Sequence, residues 1–305
     1  MNNSAIIICG PTASGKTAAA NLIASKINGA IINADSMQIY KDLEIITSSP
    51  SQNNASTHLL YNFLEPSFRY SVAAYTKDVQ SALNFCKDKG LVPIITGGTG
   101  LYIKGLVEGI SEIPEISQNS KNMVNEILAN GGTSALSREL RKLDPEMAAK
   151  LSENDTQRIS RSLGVFIETG KSISDFQKNK SEPVLSSYAL QTLYLRPERG
   201  FLYSLCEKRF DDMINNGAIE EVEIFCKKYP DLARGAVNSL GFSRIKSYLY
   251  GKASRQHAVN LAKQDTRNYA KRQYTWFNNQ ISWGRTILEY SSEDEFSKLL
   301  SKILL

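Results

Sequence analysis

The chain has 305 residues, of which 42% are hydrophobic and 22% are charged, with a formal net charge of +5. This length and apolar content allow a sizeable core, and we expect one large α/β domain with a second lobe. The longest apolar runs, of about six residues, are far short of the roughly 20 that a membrane-spanning helix needs. No targeting segment is visible before the first predicted strand, so we expect a cytoplasmic globular protein with no membrane partner.

The four cysteines, Cys9, Cys86, Cys206 and Cys226, lie far apart and form no C-x-x-C pair, and the chain has only two histidines. This pattern argues against a zinc site and predicts four buried, reduced thiols.

Charge is unevenly distributed along the chain. Residues 1–113 carry eight Lys or Arg and eight Asp or Glu, whereas residues 114–305 carry 28 basic and 23 acidic residues. Between Arg234 and Arg285 there are ten basic residues and a single acid, Asp265. A charge run of this kind is most often a solvated helix face. A polyanionic partner, meaning nucleic acid, is the competing interpretation, and composition alone leaves both open.

The first predicted elements lie in residues 6–17, which read IIICGPTASGKT. An apolar β-branched run precedes a match to G-x-x-x-x-G-K-[ST], which predicts a strand, a phosphate-binding loop and a helix over 16–27. Backbone N–H groups of such a loop face the phosphate, Lys16 supplies a positive charge, and the Thr17 hydroxyl can hold Mg²⁺. The predicted phosphate-binding residues are Gly10, Pro11, Thr12, Ala13, Ser14, Gly15, Lys16 and Thr17.

The remaining elements divide the chain into three parts. Over 1–113, strand patterns at 30–33 and 92–96, a helix at 73–89 and a polar loop at 48–57 predict a P-loop NTPase-like, doubly wound parallel sheet. Residues 114–188 show helical patterns at 122–130, 133–143 and 156–169 without a convincing strand, which predicts an inserted all-helical domain. A strand at 190–195 and helices over 199–228 and 254–278 predict a return to the core within 189–305.

Candidate catalytic residues follow two of these strands. The functional crevice of a parallel sheet lies at the carboxyl ends of its strands, where Asp35 could bind Mg²⁺, accept a proton or cap a turn. The strand ending at 97–100, GGTG, lacks the acidic residue that holds Mg²⁺ in many ATPases. Glycines there would let the Thr99 hydroxyl approach a phosphate oxygen, which suits a departing group more than an activated water.

Six ordered blocks of the chain resemble those of the tRNA dimethylallyltransferases, also called tRNA isopentenyltransferases. They are GPTASGKT at 10–17, ADSMQIYKDLEIITSSP at 34–50, GGTGLYI at 97–103, NDTQRISRSLGVFIETGKSIS at 154–174, RGFLYSLCEKRFDDMINNGAIEEV at 199–222 and TRNYAKRQYTWF at 266–277. The resemblance runs nearly end to end. The chain departs from the family pattern at Ser152-Glu153, Gly164 and Ser243, and it shows no Cys/His extension, so a bacterial type is expected.

This resemblance implies transfer of a dimethylallyl group from dimethylallyl diphosphate to N6 of the adenosine immediately 3′ of the anticodon. The phosphate loop would then hold the diphosphate that leaves. The resemblance and the chemistry together suggest Asp35 as the general base for the weakly nucleophilic amine. Lys16, Thr17 with Mg²⁺, Thr99 and Arg209 would stabilise charge on the departing oxygen.

The same resemblance implies recognition of a tRNA anticodon stem-loop, and we expect the protein to be a monomer. The target base would have to be turned out of its stack. The predicted tRNA contacts are Asp35, Ser36, Met37, Gln38, Gln157, Arg158, Ile159, Ser160, Arg161, Arg267, Lys271 and Arg272. For Arg158 and Arg161 the alternative is an ordinary surface helix. Tyr269, Trp276 and Phe277 recur at helical spacing, which favours core packing over base stacking.

Two other functions share the phosphate loop. One is an adenylate isopentenyltransferase that acts on free AMP, which should not need the insertion or the basic segment. The other is a small-molecule kinase or an RNA-binding ATPase module, which would bind and turn over ATP.

Overall fold

The computed structural model describes residues 4–50, 56–233, 235–281 and 283–303. The chain forms two compact units, Met1–Val107 with Val184–Leu305 and, inserted between them in sequence, Glu108–Pro183. The insertion was predicted at 114–188. Part of the predicted 48–57 loop, residues 51–55, lies outside the described residues.

The first unit is built on a six-stranded sheet in the order β3-β2-β4-β1-β5-β6, in which every neighbouring pair is parallel. The strands are β1 (Ser4–Cys9), β2 (Gly29–Asn33), β3 (Thr57–Leu59), β4 (Val92–Gly97), β5 (Ala189–Pro197) and β6 (Thr286–Tyr290). This sheet confirms the predicted α/β fold, since β1, β2, β4 and β5 stand where the sequence patterns place strands. The edge strands β3 and β6 were not predicted.

In the described residues no helix is long and apolar enough to span a bilayer. The helices are α1 (Lys16–Ile27), α2 (Glu44–Thr47), α3 (Val72–Lys89), α4 (Gly100–Glu108), α5 (Gln118–Leu143), α6 (Pro145–Lys150), α7 (Thr156–Thr169), α8 (Ile173–Gln177), α9 (Arg199–Asn215), α10 (Ala218–Lys228), α11 (Phe242–Leu249), α12 (Arg255–Gln280) and α13 (Glu293–Ile303). The helix predicted over 199–228 is two helices, because Gly217 adopts a left-handed conformation between them.

The sheet is buried on both faces. Successive residues of a strand point to opposite faces, so Ile7 packs in one apolar layer with Tyr75 and Phe277, and Ile8 packs in the other with Ile23. Strands that helices cover on both faces do not need to alternate polar and apolar residues. This accounts for the uninterrupted apolar run of β1 in the sequence.

The inserted unit is helical and has its own core. Helix α5 is interrupted at Gly131 and Gly132, whose backbone angles are not helical, and this break separates the two predicted segments 122–130 and 133–143. Helix α7 has the predicted bounds, and the Asp155 side chain caps it by accepting a hydrogen bond from the Arg158 N–H at 3.1 Å. The buried core residues are Val124, Leu136, Leu140, Ile159 and Leu163.

Strand β6 supports the phosphate loop, and this support can be tested by its effect on stability. The Tyr290 hydroxyl donates to the Ser14 carbonyl oxygen at 2.6 Å, and Tyr290 is only 4% exposed. Tyr290→Phe leaves that buried carbonyl without its partner, so we expect the free energy of unfolding to fall by about 1–3 kcal/mol in a urea titration. Tyr250→Phe, at a residue that is 58% exposed, is the control and should change nothing. Equal stability of both variants would contradict the assignment.

Candidate active site

The phosphate loop connects β1 to α1 at the carboxyl edge of the sheet. Gly15 has φ +74°, and a Cβ there would lie 2.7 Å from the Phe296 ring, so the last turn of the loop requires glycine. Helix α1 begins at the next residue, and the N–H groups of its first turn lack intrahelical partners. Residues 12–18 line a cavity of 740 Å³. Such a helix start is a favourable place for an anion.

Lys16 is held inside this cavity. Its Nζ donates to the Pro11 carbonyl oxygen at 2.5 Å. Burial lowers the pKa of Lys16 to about 8, Asp35 acts in the opposite direction, and Arg209 lowers it further. A bound anion would supply negative charge beside this buried ammonium group and so compensate its positive charge.

Asp35 lies in a turn fixed by the last residue of β2. The Asn33 side chain, 0% exposed, accepts from the Asp35 N–H at 2.8 Å and donates to the Asp35 carbonyl at 3.1 Å and the Leu60 carbonyl at 2.9 Å. Asp35 Oδ1 accepts from the Met37 N–H at 2.9 Å, so the residue does cap a turn. Its Oδ2 has no hydrogen-bond partner among the described residues, which leaves one carboxylate oxygen able to accept a proton.

Thr99 supports this same turn. Gly97 lies so close to β2 that a Cβ on it would be 2.1 Å from the Ala34 carbonyl oxygen. The Thr99 hydroxyl then accepts from the Ser36 N–H at 2.9 Å and donates to the Ser36 hydroxyl at 3.2 Å. These hydrogen bonds hold the Thr99 hydroxyl beside Asp35, and its predicted contact with phosphate stays a prediction.

Arg209 reaches the phosphate loop from α9. Its guanidinium donates to the Thr12 hydroxyl at 3.0 Å, the Ser48 hydroxyl at 3.1 Å and the Thr47 carbonyl at 3.1 Å. Burial lowers its pKa, and Asp35 partly offsets this effect. A guanidinium carries five N–H donors, so two remain for a ligand. The Thr12 side chain was predicted only as part of the phosphate loop, and its pairing with Arg209 was not foreseen.

Gln273 of α12 joins two of these loops. Its Oε1 accepts from the Thr12 N–H at 2.7 Å, its Nε2 donates to the Gly98 carbonyl at 2.8 Å, and the residue is 6% exposed. Sequence reasoning missed it. The available signal was a polar residue in register with the buried positions Ala270 and Phe277 of α12.

A second cavity of 270 Å³ adjoins the first. It is more enclosed by side chains of α9 and α12, among them Phe210, Thr266 and Tyr269. Thr12, Asp35, Arg209 and Met213 line both cavities. A ligand in the phosphate cavity and a ligand in the second cavity would therefore meet beside one carboxylate, one hydroxyl and one guanidinium.

Three predicted RNA contacts, Ser36, Met37 and Arg272, line the second cavity with Asp35. Gln38 does not line the second cavity, because it faces the phosphate cavity. Its Nε2 donates to the Thr47 carbonyl at 3.0 Å and to the Ser48 carbonyl at 2.9 Å. Its amide donors are thus already used.

The three aromatic residues that were predicted to pack in the core differ in their surroundings. Phe277 is fully buried and Trp276 packs against the core, whereas Tyr269 lines the second cavity. The interpretation of Tyr269 as a core residue was therefore wrong. On a helix that borders a cavity, residues at helical spacing can line the cavity wall as well as pack in the core.

The basic residues of α12 differ in their partners. Arg267 forms an ion pair with Glu207, whereas Lys271 and Arg272 line an open groove on the helix surface. The Arg272 guanidinium lies 5.6 Å from the centre of the Tyr269 ring. Arg234, which begins the basic segment, lies outside the described residues.

In the inserted unit, α7 exposes Gln157, Arg158 and Arg161, and Ser160 is half-buried. Arg158 pairs with Asp155 at 3.2 Å and remains 76% exposed. Ile159 is 1% exposed in the core of this unit, so its side chain is not available to RNA, and only its backbone could make the predicted contact.

The four cysteines are free, and Cys9, Cys86 and Cys206 are buried as predicted, whereas Cys226 is half-buried. Cys206 lines the second cavity, and burial raises the pKa of its thiol to about 11. A neutral thiol is a poor nucleophile, which argues against a covalent enzyme intermediate at this position.

Comparisons with known proteins show the family of this chain. The family model described as IPP transferase matches residues 38–280, and that of isopentenyl transferase matches residues 3–61. The chain is 42% identical to the tRNA dimethylallyltransferase of Rickettsia conorii, covering 97% of this chain and 82% of the relative. It is 41% identical to that of Rickettsia felis, covering 98% of this chain and 97% of the relative.

Two solved structures share the whole fold. The tRNA isopentenylpyrophosphate transferase of Bacillus halodurans is 27% identical, with a TM-score of 0.67 over 99% of this chain and 94% of the other. A eukaryotic dimethylallyltransferase acting on tRNA is 25% identical, with a TM-score of 0.82 over 99% of this chain and 77% of the other.

The lowered pKa of Lys16 predicts how anion binding depends on pH. Below about pH 8 the ammonium is already charged, whereas above it each binding event must take up a proton. We expect the affinity for an alkyl diphosphate, fully ionised above about pH 7, to fall by up to about tenfold per pH unit above 8 in calorimetry. Lys16→Arg should remove this dependence, because a guanidinium stays charged. A flat wild-type profile from pH 7 to about 9.5 would contradict this prediction.

Proposed function

This chain belongs to the IPP transferase family, and on that premise we propose that it transfers a dimethylallyl group from dimethylallyl diphosphate to tRNA. The acceptor atom is N6 of the adenosine immediately 3′ of the anticodon, and diphosphate is released. The observation that supports this reaction most is the junction of two cavities at Thr12, Asp35 and Arg209. One cavity suits the diphosphate, and the other suits the base.

The diphosphate lies in the phosphate-loop cavity in this proposal. Backbone N–H groups at the start of α1, Lys16 and the free donors of Arg209 bind its oxygens. When the bond from carbon to the bridging oxygen breaks, negative charge grows on that oxygen. Thr12 and Arg209, bonded to each other at the junction, are placed to stabilise this charge. Thr99, whose hydroxyl bonds to Ser36 beside Asp35, is a further candidate for this role.

Mg²⁺ fits this site as a companion of the diphosphate. Mg²⁺ usually binds one or two protein oxygens and completes its shell with phosphate oxygens and water. Thr17 lines the cavity from the first turn of α1 and supplies such an oxygen. The described residues contain no cluster of three His, Cys, Asp or Glu that would form a protein cage. A bound Mg²⁺ would neutralise charge on the leaving group.

Asp35 serves as the general base. The exocyclic amine of adenine is a weak nucleophile, and removal of its proton as the new bond forms contributes roughly 10²–10⁴-fold. The free Oδ2 of Asp35 takes that proton at the boundary of the two cavities. The N6–carbon bond forms, the carbon–oxygen bond breaks, and diphosphate carries away the electron pair.

The acceptor enters through the second cavity. A loop adenosine must leave its stack to reach a cavity lined by Tyr269 and Arg272, where an aromatic ring and a guanidinium suit a flipped base and its phosphate. Lys271 on α12 and Arg161 on α7 are further contacts to the anticodon stem-loop in this proposal. We further propose that the enzyme acts in the cytoplasm, where such a substrate is present, and as a monomer.

An acceptor assay tests the function directly. The enzyme is incubated with Mg²⁺ and labelled dimethylallyl diphosphate in the presence of tRNA, of free AMP, or of neither. We expect label in tRNA, and mass spectrometry should place it on the adenosine 3′ of the anticodon. Label in AMP but not in tRNA would favour the adenylate alternative. Rapid release of the γ-phosphate of ATP without any labelled RNA would favour the kinase or ATPase alternative.

Replacement of the proposed base gives a sharper prediction. Asp35→Asn should lower kcat by at least about 10²-fold, because the amide cannot accept the proton. Binding of dimethylallyl diphosphate should stay nearly intact in calorimetry. Asp88→Asn is the matched control, since Asp88 is exposed near the end of α3 and lines neither cavity, and its kcat should change little. A near wild-type rate for Asp35→Asn would remove Asp35 from this role.

The groove on α12 predicts a salt effect on RNA binding. If Lys271 and Arg272 each contact one phosphate, replacing both with alanine should reduce the slope of log K against log salt by up to about two. Adding Arg267→Ala should reduce it by less, because that side chain is paired with Glu207. The control is Lys87→Ala with Lys89→Ala at the far end of α3. An unchanged slope would indicate that these cations are ordinary surface residues that do not contact phosphates.

A further inference from the structure

The segment after β3 adopts an unusual backbone. Leu60 has φ +64° and Asn62 has φ +47°, so two non-glycine residues in the left-handed region flank Tyr61. This conformation costs roughly 1–2 kcal/mol for each ordinary residue, and such conformations cluster at functional sites. The segment follows the carboxyl end of its strand, where the site of a parallel sheet lies.

Specific contacts hold the segment in place. The buried Asn33 amide donates to the Leu60 carbonyl at 2.9 Å, and the Asn62 N–H donates to the Gln38 carbonyl at 3.0 Å. The His58 ring meets the Tyr61 ring edge-on at 5.5 Å. Because Asn33 also fixes the backbone of Asp35, one side chain sets the positions of Tyr61 and of the proposed base together.

The Tyr61 side chain faces the phosphate cavity. It lines that cavity with Lys16, Asp35 and Gly97, and it does not line the second cavity. Its hydroxyl has no hydrogen-bond partner among the described residues. Burial raises the pKa of this hydroxyl, and Asp35 raises it further, so Tyr61 remains a protonated donor at working pH.

We propose that the Tyr61 hydroxyl donates a hydrogen bond to the diphosphate of the prenyl donor, as a binding residue in addition to the phosphate loop. This inference rests on the phosphate cavity of the proposed function and is independent of which acceptor is used. A neutral phenol suits the position, because it adds a donor without adding a third cation beside Lys16 and Arg209. The strained backbone on both sides fixes the ring where an unstrained loop would not.

The test is the binding of inorganic diphosphate with Mg²⁺ at fixed pH, measured by calorimetry. Tyr61→Phe keeps the ring and removes only the hydroxyl, and we expect binding to weaken by about tenfold or more. The matched control is Tyr40→Phe, which removes a buried hydroxyl bonded to the Phe68 carbonyl at 3.1 Å outside both cavities. That control should bind diphosphate like the wild type.

Binding of an anticodon stem-loop RNA and the melting temperature serve as readouts of a structural role. Both should be unchanged in Tyr61→Phe if the hydroxyl acts on the diphosphate. Wild-type diphosphate affinity in Tyr61→Phe would overturn the proposal, and so would a parallel loss of RNA binding and melting temperature. Because prenyl transfer is not the readout, a chain that fails to modify tRNA could still show the Tyr61 effect.

Discussion

The site depends on two buried cations, Lys16 and Arg209, that both feel the charge of one carboxylate, Asp35. Burial lowers the pKa of both Lys16 and Arg209, and Asp35 opposes this effect for each of them. Removing such groups from water is costly unless opposite charge compensates them. Asp35 only partly offsets the effect of burial on these two cations, and this imbalance favours an anionic ligand beside them. The same imbalance explains why a diphosphate leaving group would be stabilised there.

The loops around this charge cluster are joined by neutral side chains. Asn33 fixes the turn of Asp35, Thr99 bonds to Ser36 in the same turn, and Gln273 links the phosphate loop to the loop after β4. Amide and hydroxyl groups can hold backbone positions through several hydrogen bonds at once. They add no charge, so the substrates alone change the charge balance among Lys16, Asp35 and Arg209. Positioning and electrostatics are thus carried by different residues.

Sequence patterns predicted the parts of the fold that local chemistry determines. The apolar run of β1 and the glycine-rich loop before α1 are local signals, and both elements appear where they were expected. The three-residue strand β3 and the edge strand β6 carry too little pattern to be recognised without their neighbours.

The site shows the same limit. Thr12 and Arg209 are 197 residues apart in the chain, and Thr12 and Gln273 are 261 apart. No periodicity predicts which side chains meet across such distances. The motif therefore indicated an anion site and the family resemblance added Arg209, whereas the bond of Arg209 to Thr12, the linking amide of Gln273 and the contact of Thr99 with Ser36 required the folded structure.

The basic segment shows why a charge count cannot by itself identify a nucleic-acid surface. Ion pairs with Asp265, Asp211 and Glu207 engage Arg244, Lys263 and Arg267, so these cations fit the surface-helix interpretation. Lys271 and Arg272 instead line an open groove, and Arg272 also borders the cavity that contains Asp35. The surface-helix interpretation thus fits the ion-paired cations of α11 and α12, whereas Lys271 and Arg272 remain candidates for phosphate contact. Its position beside the cavity that contains Asp35 makes Arg272 the stronger candidate for phosphate contact, and Lys271 shares its groove.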